Sequence, residues 1–561
     1  MSHEIPGYLD SKVCRYGTSD ESGQFPKKAR LNLKILTWME LYANADTSFR
    51  AEMRDVCFDI ARFIHGFDIP AVPRGAFSHK FALSDPYHHF LTSVAVNEET
   101  STQHYSVSLY EIIDSTTGEL CDSLHINFYV DLIWLVNQYM LAAQDPKMTV
   151  LYQYLHQRCL HDYMKMPFDI TTVEIKMPQF GCHHPKISVL KYADEIRILI
   201  SSANIYAEDW TIRTQELWIS PLLSLLPKNT RPDLGESPTN FKKDFVRFLD
   251  SYQTPEIFDW LALIQRADFS SVNVFFVASV PGHHAGPDLD VWGHKKLAYI
   301  LSHHVDLPKD EITWPIVAQS SALGVFGYNE RCWLVSHIVN AMAGGKDRSL
   351  NTAIPEIKVI FPSVKNYHQS YDAQFNKTCL MYNSETHSRQ LWMEKYLHQW
   401  KSDGASRTSA MPHSKSYTRI SPDGTQILWF VLTSANLSKS AWGKMSRCGS
   451  AQYINNYEAG VVFIPKFIIQ STRFLVKGSS QRHVLGLVPP VRLRYDRRLA
   501  PFDPEMADDY NPGFDSFPEF LMFQSTRIPV DRSNGTHLPQ FQLPYDWPLT
   551  PYDTDDEPFT N

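Results

Sequence analysis

Residues 412–443 read PHSKSYTRISPDGTQILWFVLTSANLSKSAWG. His413 and Lys415 are two positions apart, so on an extended chain both side chains leave the backbone on one face and reach one anion together. The apolar run Ile427 to Leu432 reads as a strand. It delivers Thr433-Ser434-Ala435-Asn436 at its C-terminal end, where polar loop residues gather into sites. On this reading His413, Lys415 and Asn436 meet.

The pattern occurs a second time. Phe180 to Trp210 reads FGCHHPKISVLKYADEIRILISSANIYAEDW, with His184 and Lys186 two apart, a strand-like Ile196 to Ile200, and then Ser201-Ser202-Ala203-Asn204. The His and the Asn are separated by 20 positions in this copy and 23 in the other, and a Trp follows each Asn by six (Trp210, Trp442). A single H-x-K arises by coincidence. A doubled H-x-K, strand and S-A-N arrangement does not, and two satisfied core histidines beside surface lysines would have to produce the same companions twice.

With these residues in view, the chain resembles the phospholipase D superfamily, in which two similar halves each give one H-x-K motif to a shared site. Within it, FGxHHxK, SSAN, TQxLWISP (Thr214 to Pro221), PHxKxYxR, TSANLSKxAWG and NYEAGVVF (Asn456 to Phe463) are similar to the signatures of the tyrosyl-DNA phosphodiesterases, from about Phe90 to about Tyr545. These enzymes remove topoisomerase I remnants from DNA 3′ ends. The wider superfamily places an Asp five residues beyond each Lys, but here those positions are Lys191 and Ile420, as in the tyrosyl-DNA branch.

The resemblance implies an α/β protein of two phospholipase D-like α/β/α halves, mixed sheets flanked by helices, around one pseudo-twofold site. The expected divisions are an N-terminal extension over 1–82, partly disordered and partly helical, a first half over 83–284, a second over 285–545 and an acidic tail over 546–561. His184 is the implied nucleophile, forming a phosphohistidine, and His413 the general acid and then base. Lys186, Lys415, Asn204 and Asn436 hold the non-bridging oxygens. Gln215 and Glu458 take the place of the missing Asp residues and orient the histidines, in a direct or a crossed arrangement that the sequence leaves open. The product is a DNA 3′-phosphate, and no metal or other cofactor is implied.

The DNA contacts implied are Phe180, by base stacking, Ser320 and Ser321 in IVAQSSALG (316–324), and Ser438. Trp547, in PYDWPLTPY, is implied near the protein side of the substrate. The plainer readings are a core aromatic for Phe180 and turn capping for the serines. The expected partners are single-stranded, nicked or blunt DNA 3′ ends and a topoisomerase I-derived peptide, with no membrane. Both half-sites lie on one chain, so a monomer is expected. Two other functions fit part of the pattern, a lipid-headgroup phosphodiesterase and an inactive DNA-end-binding module. The missing Asp residues oppose the first, and the intact His, Lys and Asn of both copies oppose the second.

At 561 residues, 43% apolar and 20% charged, the chain can bury a large core shared by two or more domains. Its formal net charge of −8 argues against coating nucleic acid through overall charge but leaves room for a local basic groove. No apolar run approaches the length of a membrane span, and the N-terminus lacks a signal-peptide core. Lys27-Lys28-Ala29-Arg30 has the form of a nuclear-import cluster, so a nuclear enzyme is expected, with mitochondrial or cytoplasmic pools left open. The eight cysteines show no C-x-x-C pair, and Cys182-His183-His184 is a poor metal cluster because neighbours on a strand face opposite ways.

Leu36, Met39, Leu41, Met53, Val56, Ile60 and Ile64 have helical spacing. Phe241 to Tyr252 is expected as a helix entered through Ser237-Pro238-Thr239-Asn240, and Val272 to Val280 as a buried strand closing the first half. Ser402 to Ser409 reads as a flexible loop, and His283 and His284 as surface residues with no Lys two positions on.

Overall fold

The computed structural model describes residues 38–156, 168–231, 233–307, 313–344, 354–476, 539–553 and 555–560. The polar stretch Gly17 to Pro26 and the basic cluster Lys27 to Arg30 lie outside the described residues.

Two nine-stranded mixed sheets form among the described residues. The first contains β1 (His89–Thr92), β2 (Ser106–Val107), β3 (Asp122–Ile126), β4 (Lys147–Tyr152), β5 (Ile170–Glu174), β6 (Ile187–Lys191), β7 (Glu195–Ser201) and β8 (Glu216–Ile219), in the order β2-β1-β8-β7-β6-β3-β4-β5. The second contains β9 (Phe275–Ser279), β10 (Ile316–Gln319), β11 (Ile357–Ile360), β12 (Leu397–His398), β13 (Ser416–Ile420), β14 (Gln426–Thr433) and β15 (Glu458–Phe463), in the order β9-β15-β14-β13-β10-β11-β12. Short strands at the margins complete each sheet.

Without β2, the two orders are one topology written twice. β1-β8-β7-β6-β3 and β9-β15-β14-β13-β10 are antiparallel throughout, and β3-β4-β5 and β10-β11-β12 continue in parallel. The strand at Phe275–Ser279 is therefore the counterpart of β1. It pairs with β15 in the second sheet and does not close the first half, so the second half begins before residue 275 and not at 285. Its buried apolar run fits either sheet, and only pairing decides between them.

Side chains alternate between two cores, as strand geometry requires. Ile196, Ile198 and Ile200 of β7 enter a core shared with the second half, while Leu199 enters a second core on the outer face. The helix Phe241–Asp250 turns Phe241, Phe245 and Phe248 onto Phe276 of β9, with centroids 5.3–5.5 Å apart, and ties the first half's helical layer to the second sheet. On the outer face, the buried helix Leu132–Leu141 is capped by Asp131, which accepts from the backbone N–H groups of Ile133 and Trp134.

The helical part of the N-terminal extension docks on that outer face. Met39, Met53, Cys57 and Ile60 are buried in the first half's outer core, and Nδ2 of Asn137 donates to the Cys57 carbonyl at 3.0 Å. The C-terminal segment is no free acidic tail. Pro551 and Pro558 bridge to His398 and Ser363, and the Phe559 ring lies 4.3 Å from that of Tyr367. Ser402 to Ser409 also departs from the flexible-loop expectation. Arg407 is buried and donates to the Thr92 carbonyl and the Ser106 hydroxyl of the first half.

Trp547 is part of the same docking. Gly424, at φ +73° in the turn between β13 and β14, leaves no room for a Cβ, which would fall 1.8 Å from the Trp547 ring. Gly424→Ala combines that overlap with a strained backbone and should lower the stability of the folded chain by about 1–3 kcal/mol, read as a fall in Tm.

Candidate active site

Each H-x-K leads directly into a strand, Lys186 into β6 and Lys415 into β13, and each S-A-N follows the antiparallel neighbour, β7 or β14. The C-terminal ends of β7 and β14 thus bring each Asn beside its own motif. The halves then interlock through short parallel bridges. His183 bridges to Tyr457, and Pro412 bridges to Thr214. His184 N–H donates to the Tyr457 carbonyl and His413 N–H to the Thr214 carbonyl, both at 3.0 Å. The residues after Tyr457 and Thr214 are Glu458 and Gln215, so each lands beside the histidine of the opposite half.

The arrangement is crossed. Nδ1 of His184 lies 2.9 Å from Oε2 of Glu458, and Nδ1 of His413 lies 2.9 Å from Nε2 of Gln215. The supports behind them correspond. The Ser434 hydroxyl donates to Glu458 Oε2 at 2.5 Å and the Ser202 hydroxyl to Gln215 Oε1 at 2.7 Å. Glu458 also accepts from Nδ2 of Asn456 at 2.9 Å. Nζ of Lys186 donates to the His184 carbonyl at 2.9 Å, and Nζ of Lys415 to the His413 carbonyl.

These groups are buried, and their protonation reflects it. Burial pushes Lys186 down to about 8, and burial together with repulsion from Lys186 pushes Lys415 down to about 7. Burial pushes His413 down to about 3, against the pull of Asp209, and lowers His184 against the pull of Glu458. Burial alone would raise Glu458, but the His184 charge and the hydrogen bonds from His184, Ser434 and Asn456 hold it below the usual carboxylate range.

The two asparagines are held differently. Oδ1 of Asn436 takes the Ser320 hydroxyl at 3.1 Å, the Ser321 hydroxyl at 3.3 Å and the Ala322 N–H at 3.1 Å. That anchoring assigns its amide NH2 as the group left for a ligand. Asn204 instead donates its backbone N–H and Nδ2 to Asp209, at 2.7 and 2.9 Å, and its own Oδ1 is buried with no hydrogen-bond partner.

The outlying candidates divide. Phe180 is 83% exposed, in the left-handed region at φ +65°, and is therefore no core aromatic. Ser320 and Ser321 are buried with their hydroxyls 3.1 and 3.3 Å from Asn436 Oδ1, that of Ser320 also 2.8 Å from the Ala322 carbonyl, so they brace that side chain. Ser438 accepts the Ala441 N–H as the cap of the helix Lys439–Trp442. Trp547, against the turn at Gly424, sits at the other end of β13 and β14 from the histidines and is not brought to the site. His183 is a satisfied core histidine between the Asn127 carbonyl and the Tyr252 hydroxyl. Asp209, which is not among the residues the two copies of the motif share, places its Oδ2 3.2 Å from Nδ1 of His413. The signal available was a mismatch between the copies, since the place matching Asp209 is Ala441. Among the described residues, no group of three or more His, Cys, Asp or Glu could hold a metal ion, and no helix is long and apolar enough to cross a membrane.

Two imidazoles and two ammonium groups converging from duplicated halves define a phosphodiesterase of the phospholipase D type. Residues 88–553 match the family model described as tyrosyl-DNA phosphodiesterase. Tyrosyl-DNA phosphodiesterase 1 of Drosophila melanogaster is 35% identical over 529 residues, 92% of this chain and 80% of that protein. The Arabidopsis thaliana protein of the same name is 28% identical over 374 residues, 64% of this chain and 60% of that one. The crystal structure of the yeast tyrosyl-DNA phosphodiesterase shares the fold, with a TM-score of 0.57 at 18% identity over 84% of this chain and 99% of that one. The chain belongs to the tyrosyl-DNA phosphodiesterase family.

The lowered lysines make anion binding pH-dependent. An anion favours both ammonium groups, so binding takes up protons wherever the free lysines have lost them. Sulfate, which does not titrate in this range, should bind most tightly below pH 7. Its affinity should fall as pH rises through 7 to 8, by up to about tenfold per pH unit for each proton taken up. Calorimetry in buffers of different ionisation enthalpy would show that uptake directly.

Proposed function

We propose that this protein is a DNA-repair phosphodiesterase that hydrolyses the bond between a DNA 3′-phosphate and the tyrosine of a topoisomerase I remnant, and also clears other 3′ blocking adducts. The crossed pairing of His184 with Glu458 and His413 with Gln215 around two buried lysines carries this reading. It leaves the Nε2 atoms of two differently supported imidazoles as the reactive positions.

His184 donates Nδ1–H to Glu458, which leaves the Nε2 lone pair to attack phosphorus. As the P–N bond forms, the P–O bond to tyrosine breaks and His413 gives its Nε2 proton to the phenolate. Tyrosine is a good leaving group because its phenol has a pKa near 10. Lys186 and Lys415, with the amide NH2 of Asn436, stabilise the charge on the non-bridging oxygens in the transition state, while Asn204 gives its Nδ2 to Asp209. His413 then accepts a proton from water, whose oxygen attacks phosphorus. The P–N bond breaks, its electron pair returns to His184, and the DNA leaves with a 3′-phosphate.

Phe180, exposed ahead of the first motif, suits stacking on a DNA base, a contact worth about 1–3 kcal/mol without sequence preference. The chain acts as a monomer on this reading, because one chain carries both half-sites. DNA as substrate and the cluster Lys27 to Arg30 fit action in the nucleus.

The decisive assay offers an oligonucleotide ending in 3′-phosphotyrosine in the presence of EDTA. Conversion to the 3′-phosphate is expected. Activity only on lipid, or only after a divalent metal is restored, would favour the lipid-type enzyme, and no turnover on any substrate would favour the binding module. His184→Ala should abolish the covalent adduct, whereas His413→Asn should slow adduct breakdown by about 100-fold or more so that the adduct accumulates on a denaturing gel. Equal residual turnover in both variants with nothing trapped would defeat these roles.

A further inference from the structure

Position 209 breaks the correspondence between the two copies. Asp209 lies five residues beyond Asn204, where the second copy has Ala441 beyond Asn436. It is fully buried. Its Oδ1 accepts from Nη1 of Arg213 at 2.9 Å, and Nε of the same guanidinium reaches Asp372, in the other half, at 3.0 and 3.1 Å. Its Oδ2, fixed by the backbone N–H and Nδ2 of Asn204, stands 3.2 Å from Nδ1 of His413. The carboxylate is thus clamped by Asn204 and by Arg213, which Asp372 of the other half holds in turn, and one of its oxygens faces a ring nitrogen of His413.

What that nitrogen requires follows from the acid–base cycle. To protonate a leaving group, His413 must be an imidazolium. Once Nε2 has given up its proton, the remaining proton is on Nδ1, and Nε2 then takes a proton from water. Nδ1 therefore carries a proton through both steps and needs an acceptor. Gln215 is a poor acceptor for it: the amide Nε2 is the nearer atom, at 2.9 Å, and Oε1, 3.3 Å from Nδ1, carries no charge and already accepts the Ser202 hydroxyl at 2.7 Å.

We infer that Asp209 is the positioning residue that accepts the Nδ1 proton of His413 in the catalytic states, with Gln215 donating to Nδ1 in the resting, neutral state. The inference rests on the proposed role of His413. His184 needs no such second partner, because the group on its Nδ1 is already a carboxylate. Of the charges that act on the His413 ring, Lys415 and Lys186 oppose protonation and Asp209 favours it, while Arg213 and Asp372 lie behind Asp209. Burial would raise the Asp209 carboxyl, but His413 and Arg213 hold it well below the usual range, so it stays an acceptor.

The test is Asp209→Asn in the full chain, with adduct formation and breakdown on a 3′-phosphotyrosyl oligonucleotide followed separately by rapid quench. The expected result is adduct formation slowed about tenfold or more, with its pH optimum moved toward acid by about one unit, because the imidazolium loses its counter-charge. A folded variant with wild-type formation rate and pH optimum would overturn the assignment. If the variant does not fold, the intact protein still answers through nitrogen-15 histidine spectra with sodium sulfate in the site, the His413 signals being assigned by their loss in His413→Asn. A strongly downfield Nδ1 proton is expected once the His413 ring is protonated, and a protonated ring whose Nδ1 proton lacks that shift would overturn the inference. A wild-type chain that fails to cleave the oligonucleotide would sink the proposed function while leaving the spectroscopic result to stand on its own.

Discussion

Burying two ammonium groups against one another is the constraint to which the rest of this site answers. Lys186 and Lys415 are almost wholly removed from water, burial loosens each one's hold on its proton and Lys186 loosens that of Lys415 further, and an unpaired buried charge costs several kcal/mol. The protein meets that cost in three ways. Each Nζ is tied to the carbonyl of the histidine in its own motif, Glu458 and Asp209 place negative charge nearby, and the remaining positive potential is left for an anionic ligand. Selectivity for a phosphodiester and some instability of the empty site have the same source.

The crossed supports follow from how the halves are joined. Parallel bridges from His183 to Tyr457 and from Pro412 to Thr214 deliver each orienting side chain across the pseudo-twofold axis, so neither histidine is held until both halves have folded. The same reciprocity appears at larger scale in Arg407, which reaches from the second half into the first, and in Arg213, which clamps one acid from each. A duplicated fold of this kind gains a single composite site and gives up the independence of its parts.

Duplication did not produce equivalence. Glu458 and Gln215 occupy matching places with different chemistry, and Asn436 and Asn204 are held by opposite ends of their amides. These differences let two like imidazoles take unlike roles, since the proton each ring keeps on Nδ1 depends on what faces that nitrogen.

The amino-acid sequence by itself determined the duplicated strand pairs, the His-Lys-Asn sets at their ends and the helix at Phe241, because these rest on spacing within some twenty to thirty residues and on side-chain periodicity. Tertiary structure alone decided the partners that lie far apart along the chain. Glu458 meets His184 across 274 positions and Gln215 meets His413 across 198, and nothing local distinguishes the crossed arrangement from the direct one. The strand Phe275–Ser279 reads the same in either sheet, the hydroxyls of Ser320 and Ser321 turn to an asparagine 116 and 115 positions away, and Trp547 is drawn to a distant glycine turn. Asp209 is the sharpest case. Its mismatch with Ala441 marks the position but assigns it no role until the fold buries it, clamps it with Arg213 and brings His413 to it, because burial and the opposing charge, more than residue type, give a carboxylate its chemistry.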